Sequence, residues 1–304
     1  MKVCFMGTAD FACPSLQALY DVGYEIVGVF SQPDRPTGRG ELVQVTPVKR
    51  LAQSLGLEVF QFEKIKSPEG IAALKGLSPD VCVTAAFGQI LSQENLDVPR
   101  LGTINVHGSL LPAYRGPAPI QWAVIKGETV TGCTTMFTDI GLDTGDILLQ
   151  DKLMIDPDET AGELFVRMAE LGAKTLVKTL DALEKGTLTR TPQDEKLASY
   201  YPMLNKQTGE IDWNASAADI KNLVRGTNPW PGAYTFCDGE MLKIYSVELS
   251  DRELSLDIGQ AFGDKTGLYV MSGNGLLMVT GIQKPGGRVM DGATFLRGHR
   301  INNK

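Results

Sequence analysis

The stretch Met1-Lys2-Val3-Cys4-Phe5-Met6-Gly7-Thr8-Ala9-Asp10-Phe11 opens the chain with a short apolar run that stops at a glycine. A run of that length, bounded by a turn residue, predicts a buried strand. Outward from it, residues 26–30, 81–85 and 103–106 repeat the pattern, and helical spacing fills the intervals near residues 15–22, 47–55 and 69–74. Strands alternating with helices predict a mostly parallel α/β sheet of Rossmann-like type. One glycine follows the first strand where a dinucleotide fingerprint needs three, which argues against a nicotinamide cofactor.

From Thr131 the pattern changes. Residues 133–138 and 147–155 read as a strand pair joined by Gly141-Leu142-Asp143-Thr144-Gly145-Asp146, and residues 160–186 as a long amphipathic helix stopped by Gly186. The polar segment 187–205, with Pro192 and Pro202, reads as an interdomain linker. Beyond it come a helix near residues 217–225 and short strands at 242–247, 267–271 and 276–282, separated by turn residues such as Asp238-Gly239 and Gly273-Asn274-Gly275. That spacing predicts a small β-barrel. The expected organisation is a catalytic domain over 1–188, a linker over 189–204 and a C-terminal β-barrel domain, OB-like, over 205–304.

Composition narrows the function classes. The chain of 304 residues is 43% hydrophobic and 21% charged, an ordinary globular balance. No apolar run reaches membrane-span length, and no leader pattern is seen at the start, so a cytosolic location is expected. Five scattered cysteines without a Cys-x-x-Cys pair predict reduced, mostly buried thiols and neither a disulfide framework nor a metal site. Residues 205–304 hold 11 basic and 11 acidic residues, so the net charge of −7 lies entirely before them. Near the end, Lys284, Arg288, Arg297, Arg300 and Lys304 face only Asp291, a local basic bias beside His299.

Only two histidines are present, His107 and His299. His107 sits in Asn105-Val106-His107-Gly108-Ser109-Leu110-Leu111-Pro112-Ala113-Tyr114-Arg115-Gly116. If the strand runs through it, Asn105 and His107 point to one face near the carboxyl end, where open α/β sheets bind ligands. Asp143 follows in a glycine-flanked loop. An amide can donate to a developing oxyanion, an imidazole can donate or relay a proton, and a carboxylate can orient the imidazole. Together they suit acyl transfer to a nucleophile carried by the substrate. A core histidine, a turn-capping asparagine and a turn aspartate would also account for these residues.

The run from Asn105 to Gly116 resembles the signature of the formyltetrahydrofolate-dependent formyltransferases, and Gly141-Leu142-Asp143-Thr144-Gly145 is similar to their second motif. Two further segments resemble the branch of that family acting on charged initiator tRNA. One is Gln32-Pro33-Asp34-Arg35-Pro36-Thr37-Gly38-Arg39-Gly40; the other is Ile211-Asp212-Trp213-Asn214, followed by Arg225-Gly226-Thr227-Asn228-Pro229-Trp230-Pro231-Gly232-Ala233. Ala9 departs from the family, where Gly-Thr-Pro is usual; a local turn effect is expected there.

The resemblance implies transfer of the formyl group of 10-formyltetrahydrofolate to the α-amine of methionine on initiator tRNA. It implies Asn105, His107 and Asp143 as the catalytic set, with Asn105 and His107 at the oxyanion and Asp143 orienting His107. It implies a folate pocket at Phe87, Gly88, Gln89 and Leu91 and at Ser109, Leu110, Leu111 and Pro112. It places tRNA contacts at Arg35 and Arg39, in a loop over 32–47 that shows no periodicity. A monomer with no metal is expected. Trp213 and Trp230 are read as packing the second domain. An amino-sugar nucleotide or water as acceptor, and a tRNA- or folate-binding module without turnover, remain alternatives.

Overall fold

The computed structural model of the chain describes residues 1–37 and 42–299. They form two compact units, one drawn from residues 1–37, 42–116, 131–154 and 165–201, the other from residues 117–130, 155–164 and 202–299.

In chain order the elements up to the first motif are β1 (Lys2–Gly7), α1 (Cys13–Val22), β2 (Glu25–Ser31), β3 (Arg35–Thr37), β4 (Leu42–Gln44), α2 (Pro47–Ser54), β5 (Val59–Gln61), α3 (Pro68–Leu77), β6 (Val81–Ala85), α4 (Gln93–Leu96) and β7 (Thr103–His107). After α5 (Pro119–Ile125) come β8 (Val130–Phe137), β9 (Ile147–Met154) and α6 (Ala161–Glu184). The main sheet has the order β5-β2-β1-β6-β7-β8-β9. Its strands pair in parallel from β5 to β7, and β8 runs antiparallel to β7. Val3, Cys4, Phe5 and Met6 are fully buried, which is why β1 reads as an unbroken apolar run: a central parallel strand is covered on both faces. Order reverses between β1 and β6, so the carboxyl ends of β1 and β6 border the switch-point crevice of a doubly wound sheet, with the end of β7 next to β6.

Helix starts follow their caps. The Thr46 hydroxyl accepts from Lys49 N–H at the head of α2, and the Ser67 hydroxyl accepts from Gly70 N–H at the head of α3, each ahead of a proline in the first turn.

The second unit contains α5, α7 (Ala217–Gly226), β10 (Ala233–Cys237), β11 (Glu240–Ser250), β12 (Ala261–Asp264), β13 (Gly267–Met271), β14 (Leu276–Gln283) and α8 (Gly292–Gly298). The expected small barrel takes the form of a five-stranded antiparallel sheet, β10-β11-β14-β13-β12, around one core that includes Ile220, Val224, Ile244, Leu277, Val279 and Ile282. Asp238 and Gly239 both have positive φ, +50° and +81°, as a two-residue hairpin turn requires.

Four features go beyond what the residue pattern gives. Residues 35–37 and 42–44 pair as a short antiparallel hairpin inside what reads as an irregular loop, because ladder pairing is a backbone matter that side-chain periodicity does not register. Residues 117–130 cluster with the C-terminal unit and not with the sheet that flanks them in sequence. Residues 189–201 cluster with the sheet unit: Thr191 bridges to Ile147, and Arg115 to Tyr200. Trp213 packs on the second core and donates from Nε1 to Thr235 at 2.9 Å, but Trp230 is 53% exposed in the turn after α7. Of the basic tail, Arg300 and Lys304 lie outside the described residues; α8, capped by Asp291, carries Arg297 in its last turn.

All five cysteines are free, and Cys4, Cys82 and Cys133 are buried; burial pushes the Cys133 thiol up to about 12. Among the described residues no helix is long and apolar enough to cross a membrane, and no group of three or more His, Cys, Asp or Glu side chains could hold a metal ion.

Candidate active site

Asn105 and His107 are the first and third of the last three residues of β7, on one face as the strand alternation requires. Asn105 sits opposite Thr84 on β6, and the Thr84 hydroxyl donates to Asn105 Oδ1 at 2.8 Å. That bond fixes the amide: the oxygen is held by Thr84, and the Nδ2 hydrogens are the donors left to meet an acceptor.

His107 is 6% exposed. Its Nε2 lies 3.0 Å from the Tyr114 carbonyl oxygen, which can only accept, so Nε2 carries the proton and donates. Its other nitrogen, Nδ1, faces Asp143 Oδ1 at 3.7 Å, beyond hydrogen-bond length and within reach of charge attraction. Asp143 Oδ2 accepts from Gly116 N–H at 2.8 Å. The two motifs therefore meet in space: the first supplies the imidazole and the N–H that anchors the carboxylate supplied by the second.

Both loops hold unusual backbone. Tyr114 and Asp143 adopt φ of +60° and +55°, left-handed values that cost a residue with a side chain about 1–3 kcal/mol unless its surroundings fix them. Two glycines in the motifs are sterically obligatory. A Cβ on Gly116 would strike the Tyr201 carbonyl, and one on Gly145 would strike the Phe137 carbonyl, so neither loop could fold back as it does.

The first loop is pinned throughout. Ser109 Oγ donates to the Ala113 carbonyl at 2.7 Å, Thr134 Oγ1 donates to the Ser109 carbonyl at 2.6 Å, and Gln150 Nε2 donates to the Leu111 carbonyl at 2.8 Å. Tyr114 N–H donates to Ser199 Oγ at 2.9 Å, and Arg115 N–H to the Ser199 carbonyl at 2.8 Å. Arg115, only 7% exposed, turns its guanidinium to Gln193 and to both oxygens of Glu195. Arg115 holds the Glu195 carboxyl below the usual carboxylate range.

The expected folate segments lie beside this centre, and their side chains divide. Phe87 and Leu91 sit in the core cluster under β6, and Leu111 is 3% exposed. Gln89 is spent internally, Oε1 accepting from Ile65 N–H at 2.6 Å and Nε2 donating to the Phe62 carbonyl at 2.8 Å. Gly88 is exposed, its carbonyl accepting from Gln32 Nε2 at 2.7 Å; Leu110 and Pro112 are half-buried; neighbouring Ile90 is 75% exposed. Backbone edges and a few apolar side chains are thus what this region offers a flat ligand, with the core residues as its floor.

Arg35 stands on the short hairpin with its side chain 62% exposed, paired at 2.7 Å to the equally exposed Glu63. Arg39 lies outside the described residues. A cleft of about 600 Å³ at the opposite, amino end of β6 is lined by Lys75, Asp80, Glu94 and Arg100, whose charges pair with one another at 3.0 and 2.8 Å.

The sequence did not point to Thr84, to the Tyr114 carbonyl as the acceptor from His107, or to Gln193 and Ser199. Arg115 was visible inside the motif without a role. Gln193 and Ser199 gave no signal at all, since polar residues between prolines look like any linker.

Comparison with known proteins follows the same division into two parts. Residues 1–180 match the family model described as formyl transferase, and residues 203–300 match that of the formyl transferase C-terminal domain. The chain is 48% identical to the methionyl-tRNA formyltransferase of Ruminiclostridium cellulolyticum, over 99% of this chain and 98% of that protein. It is also 48% identical to the protein of that name from Geobacter metallireducens, over 99% of this chain and 96% of that one. Among solved structures, an N-formyltransferase from Helicobacter canadensis, in complex with folinic acid and dTDP-3-aminofucose, shares the fold with a TM-score of 0.69 at 18% identity, covering 94% of this chain and all of that one. HypX from Aquifex aeolicus in complex with tetrahydrofolic acid aligns with a TM-score of 0.63 at 17% identity over 97% of this chain, which spans about half, 47%, of that longer protein. With both parts matched and near-full-length relatives at almost half identity, the chain belongs to the formyl transferase family.

Proposed function

We propose that the chain transfers the formyl group of 10-formyltetrahydrofolate to the α-amino group of methionyl initiator tRNA. The observation that carries the reading is the meeting of Asn105, His107 and Asp143 at the end of β7, in a chain whose near-full-length relatives are named methionyl-tRNA formyltransferase.

In the proposed reaction the neutral amine attacks the formyl carbon, so an N–C bond forms while the bond from that carbon to the folate nitrogen breaks. Negative charge develops on the formyl oxygen in between. Asn105 Nδ2, left free to donate by the Thr84 bond, stabilises that oxygen. His107 acts through Nδ1, because its Nε2–H is already given to the Tyr114 carbonyl. Protonated, Nδ1 is the second donor and the proton source for the leaving nitrogen; the amine proton returns to the same His107–Asp143 pair, so the balance closes. No protein nucleophile is needed, and no step requires a metal.

The backbone around Gly88 and the side chains of Leu110 and Pro112 would border the folate, over Phe87, Gln89, Leu91, Ser109 and Leu111. Arg35 and Arg39, with the C-terminal sheet unit over 205–304, would engage the tRNA in a monomer working in the cytosol. An overall charge of −7 means that binding depends on such local basic groups and weakens steeply with salt.

The test is formyl transfer from 10-formyltetrahydrofolate to charged initiator tRNA, to an amino-sugar nucleotide, and with no acceptor. Product with the charged tRNA alone is expected. Transfer to the sugar, or release of tetrahydrofolate without an acceptor, would keep the site and remove the tRNA.

A further inference from the structure

Gln193 lies in a segment whose sequence reads as a linker, yet its amide is bonded on both sides. Oε1 accepts from Arg115 Nε at 3.1 Å and from Nη2 at 2.8 Å. Nε2 donates to the carbonyl oxygens of Asp143 and Gly145, each at 2.8 Å. A primary amide offers two donor hydrogens and two acceptor lone pairs, and here one loop takes the acceptor side and the other takes the donors.

We propose that Gln193 is a positioning residue that clamps the Arg115 loop to the Asp143 loop and so sets the Asp143 carboxylate against His107. The proposal rests on the reading of Asn105, His107 and Asp143 as the reacting set. The other bond between the loops, Gly116 N–H to Asp143 Oδ2, is made to the reactive carboxylate itself. Gln193 instead grips backbone carbonyls on either side of Thr144 and leaves the carboxylate to His107. Asp143 is held in a left-handed conformation, which a residue with a side chain keeps only when its surroundings over-determine it. Gln193 supplies that determination. Of the two partners of the Arg115 guanidinium it is also the inward one: Glu195 is 70% exposed. An amide is required, because a carboxylate would keep the Arg115 bonds but present lone pairs to the Asp143 and Gly145 carbonyls.

That asymmetry provides the experiment. Gln193→Glu retains acceptance from Arg115 and loses both donations to the Asp143 loop; Gln193→Ala loses the bonds on both sides. Both are assayed for kcat, for KM toward each substrate and for the pH dependence of kcat, beside Asp143→Ala and wild type. The expected result for Gln193→Glu is a fall in kcat of about 10–100-fold, the scale of a misplaced reacting group. Both KM values should stay within about twofold, the pH profile should shift, and the protein should remain folded with a melting temperature lower by only a few degrees. If Gln193→Ala does not fold, Gln193→Glu alone decides. Wild-type kcat and pH profile in Gln193→Glu, with Asp143→Ala inactive, would overturn the clamp and leave the site standing. Full activity in Asp143→Ala would overturn the site reading, and the clamp with it.

Discussion

The loops proposed to carry the chemistry and the strand pair of residues 35–37 and 42–44 are built in opposite ways. His107, Arg115 and Ser109 are buried, and their side chains bond to the Tyr114 carbonyl, to Gln193 and Glu195, and to the Ala113 carbonyl. The described part of the hairpin is two three-residue strands with Arg35 pointing outward to Glu63. Desolvated, multiply bonded groups are stiff, and a transition state rewards groups that need not reorganise. An exposed ion pair is worth only about 0–1 kcal/mol, so its arginine is cheaply surrendered to another anion. The same fold thus keeps its proposed chemistry rigid and its proposed tRNA contact loose.

Breaking the rigid side should have the largest effect. Asn105→Ala, His107→Ala and Asp143→Ala are each expected to lower kcat by about 10²–10³ or more, with tRNA affinity nearly intact. Steady-state kinetics beside a filter-binding isotherm would check this; a loss confined to binding would place these residues outside the chemistry.

A step outward, Thr84→Val keeps the shape of β6 and removes the hydroxyl that orients Asn105. One such hydrogen bond is worth about 0.5–1.5 kcal/mol, so a fall in kcat of up to about tenfold is expected. The same loss should not add to that of Asn105→Ala, which a double-mutant cycle would read; full additivity would mean that Thr84 acts elsewhere.

On the loose side, Arg35→Ala should raise the KM for tRNA by about three- to tenfold at low ionic strength and by less as salt increases. Neither the folate KM nor the melting temperature should move, because the Glu63 pair is exposed. A destabilised Arg35→Ala protein would erase the contrast between the two regions.

The smallest effect is expected at the rim of the rigid side. Arg115 lowers the Glu195 carboxyl below its ordinary 4.5. A carboxylate whose folded pKa is depressed adds stability that is fully present above the ordinary value and is lost as pH falls through the folded one. Glu195→Gln should therefore lower the melting temperature slightly at pH 6–8, and the difference should vanish in acid. Because Gln193 still holds Arg115, kcat at neutral pH should change by less than about twofold. A larger change would move Glu195 from the rim into the positioning set.

Much of this was legible in the residues. The buried apolar runs at 3–6 and 81–85 fix strands through hydrophobic continuity, and the long helix appears as Ala161–Glu184 within residues of its periodic pattern. The turns at Asp238-Gly239 and Gly273-Asn274-Gly275 sit where strands reverse, the first with both residues at the positive φ that aspartate and glycine tolerate. His107 stood out because the chain has only two histidines, Asn105 and Asp143 because they lay with it in family motifs, and local periodicity placed Asn105 and His107 on one face.

By itself the sequence determined whatever depends on neighbours along the chain: strand and helix identity, turn positions, the Asn105–His107 pair and the family motifs. Only the tertiary structure decided that residues 117–130 cluster with the C-terminal unit, and that 189–201 belong beside Arg115. It also decided that Thr84 orients Asn105, and that Nε2 of His107 is spent on a backbone carbonyl. These are contacts between segments up to some eighty residues apart. A hydrogen bond made over such a separation leaves no periodicity at either end, because it is fixed by the distance between two atoms in space and not by the order of residues in the chain.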